Sequence, residues 1–212
     1  MLDPDQMAEV FARLRATNPD IAPPKAKGGR TAFRSVVSCM LSAQSLDRDT
    51  AAAADALFAL ADTPEGILAL ADEQITSAIR PCGLYNVKAR NLRKMCRRLI
   101  EEHGCRVPED RKGLMSLPGV GRKCADLVLH FTFGQPVIAV DTHVHRVCNR
   151  TGLAQGRTEA QTAASLDGRI PEAYRMPGHL LLLDHGKRIC RARAPRCGDC
   201  VLVDLCEAGP IP

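Results

Sequence analysis

Apolar residues recur along this chain at the three- and four-residue spacing of amphipathic helices, and nowhere in the sustained alternation that marks half-buried strands. Asp3 and Pro4 open the first helix, since Asp caps free amides and Pro tolerates the first helical position. Met7, Val10, Phe11 and Leu14 then share one face. A stretch rich in Pro, Lys and Gly, Ala22 to Gly29, reads as a linker between packing units. Helix resumes at Thr31, with Phe33, Val36, Val37, Met40 and Leu41 as its buried stripe, and ends near Leu41-Ser42-Ala43-Gln44. Asp47, Thr63 and Asp72 are expected to cap short helices running through Ile79, before a turn at Pro81-Cys82-Gly83. From Tyr85 to His103, Leu92, Met95, Cys96, Leu99 and Ile100 form a stripe; Lys88, Arg90, Arg93, Lys94, Arg97 and Arg98 fill the remainder, as on a solvated face. Asp110 starts another short helix, Leu117-Pro118-Gly119 stops it, and the next runs from about Gly121 to Phe133. Val137-Ile138-Ala139-Val140 has strand propensity but no partner strand, so it is expected to be an extended connector into a helix capped by Asp141.

Composition narrows the fold class. The chain has 212 residues, 45% of them hydrophobic but 3% aromatic and none Trp, so its core must be filled by Leu, Val, Ile, Ala and Met, which suits an all-α fold. That length holds one sizeable core or two small domains. Lys plus Arg exceed Asp plus Glu by 29 − 24 = 5, a moderate excess that favours a polyanionic partner. It is concentrated in the 85–103 helix and in Lys187, Arg188, Arg191, Arg193 and Arg196. The N-terminus carries no basic-then-apolar leader and no run reaches membrane-spanning length, so a reducing cytosol is expected, where ten cysteines stay as thiols or bind metal. Cys39, Cys82, Cys96, Cys105, Cys124 and Cys148 show no ligand spacing and read as small apolar core residues.

Three groups of residues carry chemistry. In Leu117-Pro118-Gly119-Val120-Gly121-Arg122-Lys123, glycines expose successive amides at the start of a helix, a helix-hairpin-helix that suits a phosphate without reading bases. A nucleophilic lysine needs a setting that disfavours its charge, and Lys123 has two in prospect, the helix start and the neighbouring Arg122; a phosphate-binding lysine is the plainer alternative. Eighteen residues on, Asp141 stands where a cap is required, ahead of His143 and Arg146, which suit a second phosphate. His143 and His145 point to different helix faces and are a poor metal pair. Finally Cys190, Cys197, Cys200 and Cys206 have the spacing C-x6-C-x2-C-x5-C. Four thiolates hold zinc or iron-sulfur, and a single C-x2-C knuckle favours a 4Fe-4S cluster over a zinc ribbon. Arg191, Arg193 and Arg196 would then be displayed to phosphates on a stapled loop.

Taken in order, the hairpin, Ala139-Val140-Asp141-Thr142-His143-Val144-His145-Arg146, the cysteine run, Leu41-Ser42-Ala43-Gln44 and Gly83-Leu84-Tyr85-Asn86 resemble the iron-sulfur branch of the helix-hairpin-helix DNA glycosylase superfamily, the endonuclease III group, over nearly the whole chain. That resemblance implies two helical domains flanking a DNA-binding groove: a six-helix domain over 25–135, and an iron-sulfur domain made of 1–24 and 136–212. It implies Lys123 as nucleophile, Asp141 as its carboxylate partner, Gln44 and Leu84 as the residues entering a gap in the base stack, Gly119, Val120, Gly121 and Arg122 as backbone contacts, and a 4Fe-4S cluster on the four cysteines. The implied activity is removal of oxidised pyrimidines from duplex DNA, with cleavage of the abasic site by β-elimination, by a monomer in the bacterial cytosol. Cys124, Asp126, His145 and Asp184 depart from the family pattern. Two rival readings are an adenine-mismatch glycosylase, which lacks such a lysine and carries a further C-terminal domain where this chain ends six residues after Cys206, and a non-catalytic DNA-binding or redox module.

Overall fold

A computed structural model describes residues 1–22 and 30–211, and the linker read at Ala22–Gly29 lies, beyond its first residue, outside them. The described residues contain twelve α-helices and no strand. The chain divides into two compact units, Lys25–Gly134 and Met1–Pro24 with Gln135–Pro212. No described helix is long and apolar enough to cross a membrane.

The unit within Lys25–Gly134 carries α2 (Arg30–Ser42), α3 (Asp47–Leu60), α4 (Pro64–Ala69), α5 (Asp72–Ala78), α6 (Tyr85–His103), α7 (Arg111–Ser116) and α8 (Arg122–Phe131). α2 packs against α3, α6 and α8, and α6 against α4 and α5. Val36, Leu41, Leu57, Ile67, Ile75, Leu92, Met95, Leu99 and Leu114 are fully buried, and each such side chain contributes about 1.5–3 kcal/mol. Thr63 and Asp110 cap their helices, accepting from the amides of Gly66 and Gly113. Asp47 and Asp72 do not: each is the first residue of its helix, behind Leu46 and Ala71. There they lie in the first turn, where negative charge meets the positive helix end, and Gln74 Oε1 accepts the Ala71 amide instead.

The other unit is built from α1 (Pro4–Thr17), α9 (Thr142–Thr151), α10 (Glu159–Leu166), α11 (Glu172–Arg175) and α12 (Gly178–Arg188), followed by a cysteine-bearing loop with one 3-10 turn at Cys197–Asp199. Asp3 caps α1 reciprocally with Gln6. Met7, Val10, Phe11 and Leu14 of α1 join Val144, Val147, Cys148, Leu181, Leu182 and Leu202 in one core, where Phe11 stacks on Tyr174 at 5.5 Å. Val137–Val140 belongs to no helix and pairs with no strand among the described residues, as expected of a connector into α9.

Three expectations about burial need correction. The basic residues of α6 are not all solvated: Lys88 is 5% exposed, and Arg93 is half-buried with its guanidinium on the Leu68 carbonyl and the Asp72 carboxylate. Cys105 is exposed and donates to Glu65 Oε1 at 2.7 Å. Cys39 and Cys124 are only half-buried, whereas Cys82, Cys96 and Cys148 are core residues.

Candidate nucleic-acid interface

In the hairpin between α7 and α8, the Val120 amide donates to Leu117 O and Gly119 takes φ +85°, a conformation glycine adopts without strain. A Cβ at Gly119 would lie 3.0 Å from Met40 Cγ and 3.2 Å from Asn91 Cβ, so the turn is also pressed against α2 and α6. Val120 is buried and anchors the turn. Gly121 is the N-cap of α8 and supplies no side-chain bond, which leaves the first-turn amides for an anion to meet. Lys123 is exposed in that first turn.

Asp126 does not oppose Lys123 with a bare charge. It is 1% exposed and is bracketed by Arg111 Nε at 2.7 Å and Arg122 Nε at 3.5 Å. The aspartate therefore binds α7 to α8, and the Arg122 side chain is partly spent inside the unit.

A second pair of turns is brought together in the same unit. Gln44, in the α2–α3 turn, and Leu84, at the N-cap of α6, are non-glycine residues with φ +52° and +58°. Left-handed backbone costs roughly 1–2 kcal/mol for such residues and persists only where its surroundings enforce it. Here the Gly83 amide donates to Ser45 Oγ at 3.1 Å, and a Cβ on Gly83 would lie 2.8 Å from Gln44 O. Lys88 completes the clamp: its Nζ donates to Leu41 O at 2.7 Å and Ser45 Oγ at 2.8 Å. Burial holds this ammonium below the ordinary lysine range. Gln44 is exposed, and Leu84 is 58% exposed, an apolar side chain presented at a strained helix start. Lys88 lies one turn before Leu92 on the apolar stripe of α6, and that position is the sequence signal for its burial. Lys88→Met should destabilise the protein by about 1–3 kcal/mol, because the buried Leu41 carbonyl loses this donor and the part-buried Ser45 hydroxyl loses one of its two; urea unfolding measures this.

In the other unit, Asp141 caps α9 through Oδ1 alone, which accepts from the amides of His143 and Val144 at 2.9 and 2.8 Å. Arg146 is turned inward: Nε donates to Cys190 O and Nη2 to Gly186 O, both at 2.7 Å, with His143 Nδ1 at 3.2 Å. Its guanidinium thus joins α9 to the end of α12 and the start of the cysteine loop. His145 enters a polar network, its Nδ1 lying 2.7 Å from Thr162 Oγ1 and 3.1 Å from Asn149 Nδ2. Asp184 pairs with Arg188 one turn on at the surface, an interaction of little net strength.

Cys190, Cys197, Cys200 and Cys206 line one pocket with Arg150, His185 and Ile211. Burial pushes the Cys200 and Cys206 thiols up, and charge on other cysteines of the set pushes the same way. A donor set of this kind carries negative charge stably only around a cationic group, and it fits one. Among the described residues, no three His, Cys, Asp or Glu side chains close on a single ion. Arg150, which sequence spacing did not single out, frames the loop at both ends. It donates to Arg191 O at 2.8 Å and reaches Cys190 Sγ at 3.5 Å, while its carbonyl accepts from Cys206 Sγ and the Ala208 amide. His185 Nε2 lies 3.7 Å from Cys200 Sγ, and burial pushes this imidazole down to about 4. Arg191, Arg193 and Arg196 are exposed on the same loop, where Arg196 pairs with Asp199.

Residues 37–172 match the family model of the HhH-GPD superfamily base excision DNA repair proteins. The chain belongs to that superfamily. Among its relatives, endonuclease III of Escherichia coli strain K12 is 44% identical over 199 residues, covering 94% of this chain and 93% of the relative. Endonuclease III of Treponema pallidum is 43% identical over 206 residues, covering 97% of each. The solved structure of a trapped endonuclease III–DNA covalent intermediate, an estranged-adenine complex, superposes with a TM-score of 0.85 at 34% identity, covering 99% of this chain and 98% of that one. A thermostable thymine-DNA glycosylase shares the fold at a TM-score of 0.80 and 24% identity. The matched residues span the hairpin, both left-handed turns and Asp141.

Proposed function

We propose that this chain is a bifunctional base excision repair enzyme, which removes oxidised pyrimidines from duplex DNA and then breaks the strand at the resulting abasic site. The observation that carries the reading is Lys123 in the first turn of an uncapped hairpin helix, in a chain that matches a covalently trapped endonuclease III–DNA intermediate along its full length. A damaged base must leave the stack before its sugar can be reached, and a wedge must hold the gap open. Gln44 and Leu84, exposed on adjoining rigid turns, are suited to that task. The first-turn amides of α8 hold a phosphate beside the lesion, and the exposed arginines of the cysteine loop supply further positive charge for the DNA backbone.

Chemistry follows from the lysine. The Nζ lone pair attacks C1′, the glycosidic bond breaks, and its electrons leave with the base. The carboxylate of Asp141 stabilises positive charge developing on the sugar and takes the proton lost by the amine. Ring opening yields a Schiff base on Lys123, which acidifies the C2′ proton; its loss expels the 3′ phosphate by β-elimination.

Cys190, Cys197, Cys200 and Cys206 are the residues to hold a 4Fe-4S cluster, which when bound supplies four iron–thiolate bonds that staple the loop bearing Arg191, Arg193 and Arg196. A thiol-rich chain holding such a group belongs in a reducing cytosol. Purified protein should contain iron and acid-labile sulfide in equal amounts, measured by elemental and colorimetric assay; stoichiometric zinc would sink the cluster assignment. The function itself is tested by borohydride reduction in the presence of a duplex carrying one oxidised pyrimidine. A covalent protein–DNA adduct and a cleaved strand are expected. Base release without an adduct would indicate a monofunctional glycosylase, and binding without either a recognition module.

A further inference from the structure

Half-burial of Cys39 and Cys124 separates them from the inert cysteines of the core. Cys96 and Cys148 are buried, and burial alone or foremost pushes each thiol up to about 12, far from any reactive form. Cys39 lies in the last turn of α2 and Cys124 in the first turn of α8, on two helices packed side by side. The Cys39 thiol donates to the Cys124 carbonyl oxygen at 3.8 Å, which sets its sulfur against the first turn of α8. Both retain solvent access, and the charge of Lys123 is close enough to act on both sulfurs. The environment distinguishes them: the Cys124 contact and the Lys123 charge draw the Cys39 thiol below its ordinary value, against its burial, while the same partner holds Cys124 protonated. A thiol with a favoured thiolate beside one that keeps its proton has the order of events of a redox couple.

We propose that Cys39 and Cys124 form a redox modification site, closing to an intramolecular disulfide when the protein meets a hydroperoxide and reopening to two thiols with a dithiol reductant. The Cys39 thiolate attacks the peroxide, forming a sulfur–oxygen bond as the oxygen–oxygen bond breaks and hydroxide departs. The Cys124 sulfur then attacks the Cys39 sulfenic acid. Its proton and the hydroxyl leave as water, and the sulfur–sulfur bond forms. Two thiols and one hydrogen peroxide thus give one disulfide and two waters. The bond would tie the helix that leads into the Gln44 turn to the helix that carries Lys123, so its closure acts on the scaffold of both. The inference rests on the packing of one unit and does not depend on the proposed repair chemistry.

The test uses the full-length protein as purified. After treatment with hydrogen peroxide and blocking of remaining thiols with N-ethylmaleimide, proteolysis and mass spectrometry should find a peptide pair joining Cys39 to Cys124, lighter by two hydrogens than the free thiols and lost after dithiothreitol. In Cys124→Ser, dimedone should label Cys39, because its sulfenic acid lacks the resolving thiol. The exposed Cys105 serves as an internal control. Recovery of Cys39 and Cys124 as maleimide adducts while Cys105 is oxidised, or pairing of Cys39 with any other cysteine, would overturn the proposal.

Discussion

Lys123→Gln should reduce the borohydride-trapped adduct with an abasic-site duplex to background, while the variant still binds that duplex. The side chain is exposed and makes no packing contribution to the core, so the change removes an amine and not the hairpin. The turn is held by the Val120–Leu117 bond, by Gly119 against Met40 and by Arg111 and Arg122 on Asp126, none of which involves the Lys123 side chain. The competing role, a lysine that holds a phosphate, has a different signature. Losing one phosphate contact weakens binding to every duplex and lowers the slope of log affinity against log salt by about 1. A fall in trapping with that slope unchanged identifies a nucleophile; a joint fall in binding, slope and trapping identifies a phosphate ligand.

Asp141 separates in the same way through two substitutions. Asparagine is as good an N-cap as aspartate, so Asp141→Asn should leave stability within about 0.5 kcal/mol, whereas Asp141→Ala should cost about 1 kcal/mol as the His143 and Val144 amides lose their acceptor. If the carboxylate stabilises the charged sugar and accepts the lysine proton, base release should fall by roughly 10²- to 10⁴-fold in both variants. Thermal unfolding and single-turnover base release measure the two quantities side by side. An asparagine variant that keeps full activity would make Asp141 a cap and nothing more.

Much of the helical framework was legible because its signals are local. Asp3, Thr63, Asp110 and Asp141 cap as side chains with an acceptor at the right offset should, and the α6 stripe predicts its own length from Tyr85 to His103. Asp47 and Asp72 misled because an aspartate inside the first turn is as favourable electrostatically as one at the cap, and sequence shows only that it is near the end. What stayed hidden was set by pairing across long stretches of chain. Nothing in the order of residues announces that Lys88 bonds to Leu41 and Ser45, that Arg111 reaches Asp126, or that Arg146 ends on the carbonyl of Cys190. Asp126, a departure from the family pattern within one turn of Lys123, is neutralised by Arg111 and Arg122, and neither pairing is visible in the order of residues. Cys39 and Cys124 were read as core because a thiol's surroundings cannot be judged from spacing alone.

The clamp of Lys88 and Gly83 on the two left-handed turns has a consequence for the search along DNA. An enzyme that looks for rare damage probes a great many intact base pairs, and any loop that had to order itself at each encounter would slow every one of those trials. With Gln44 and Leu84 already held in their strained geometry, the unfavourable conformational energy is met once, when the chain folds. On the proposed reading, each probing event then begins from a rigid edge, and the time spent at an undamaged pair is set by the stacking of the DNA.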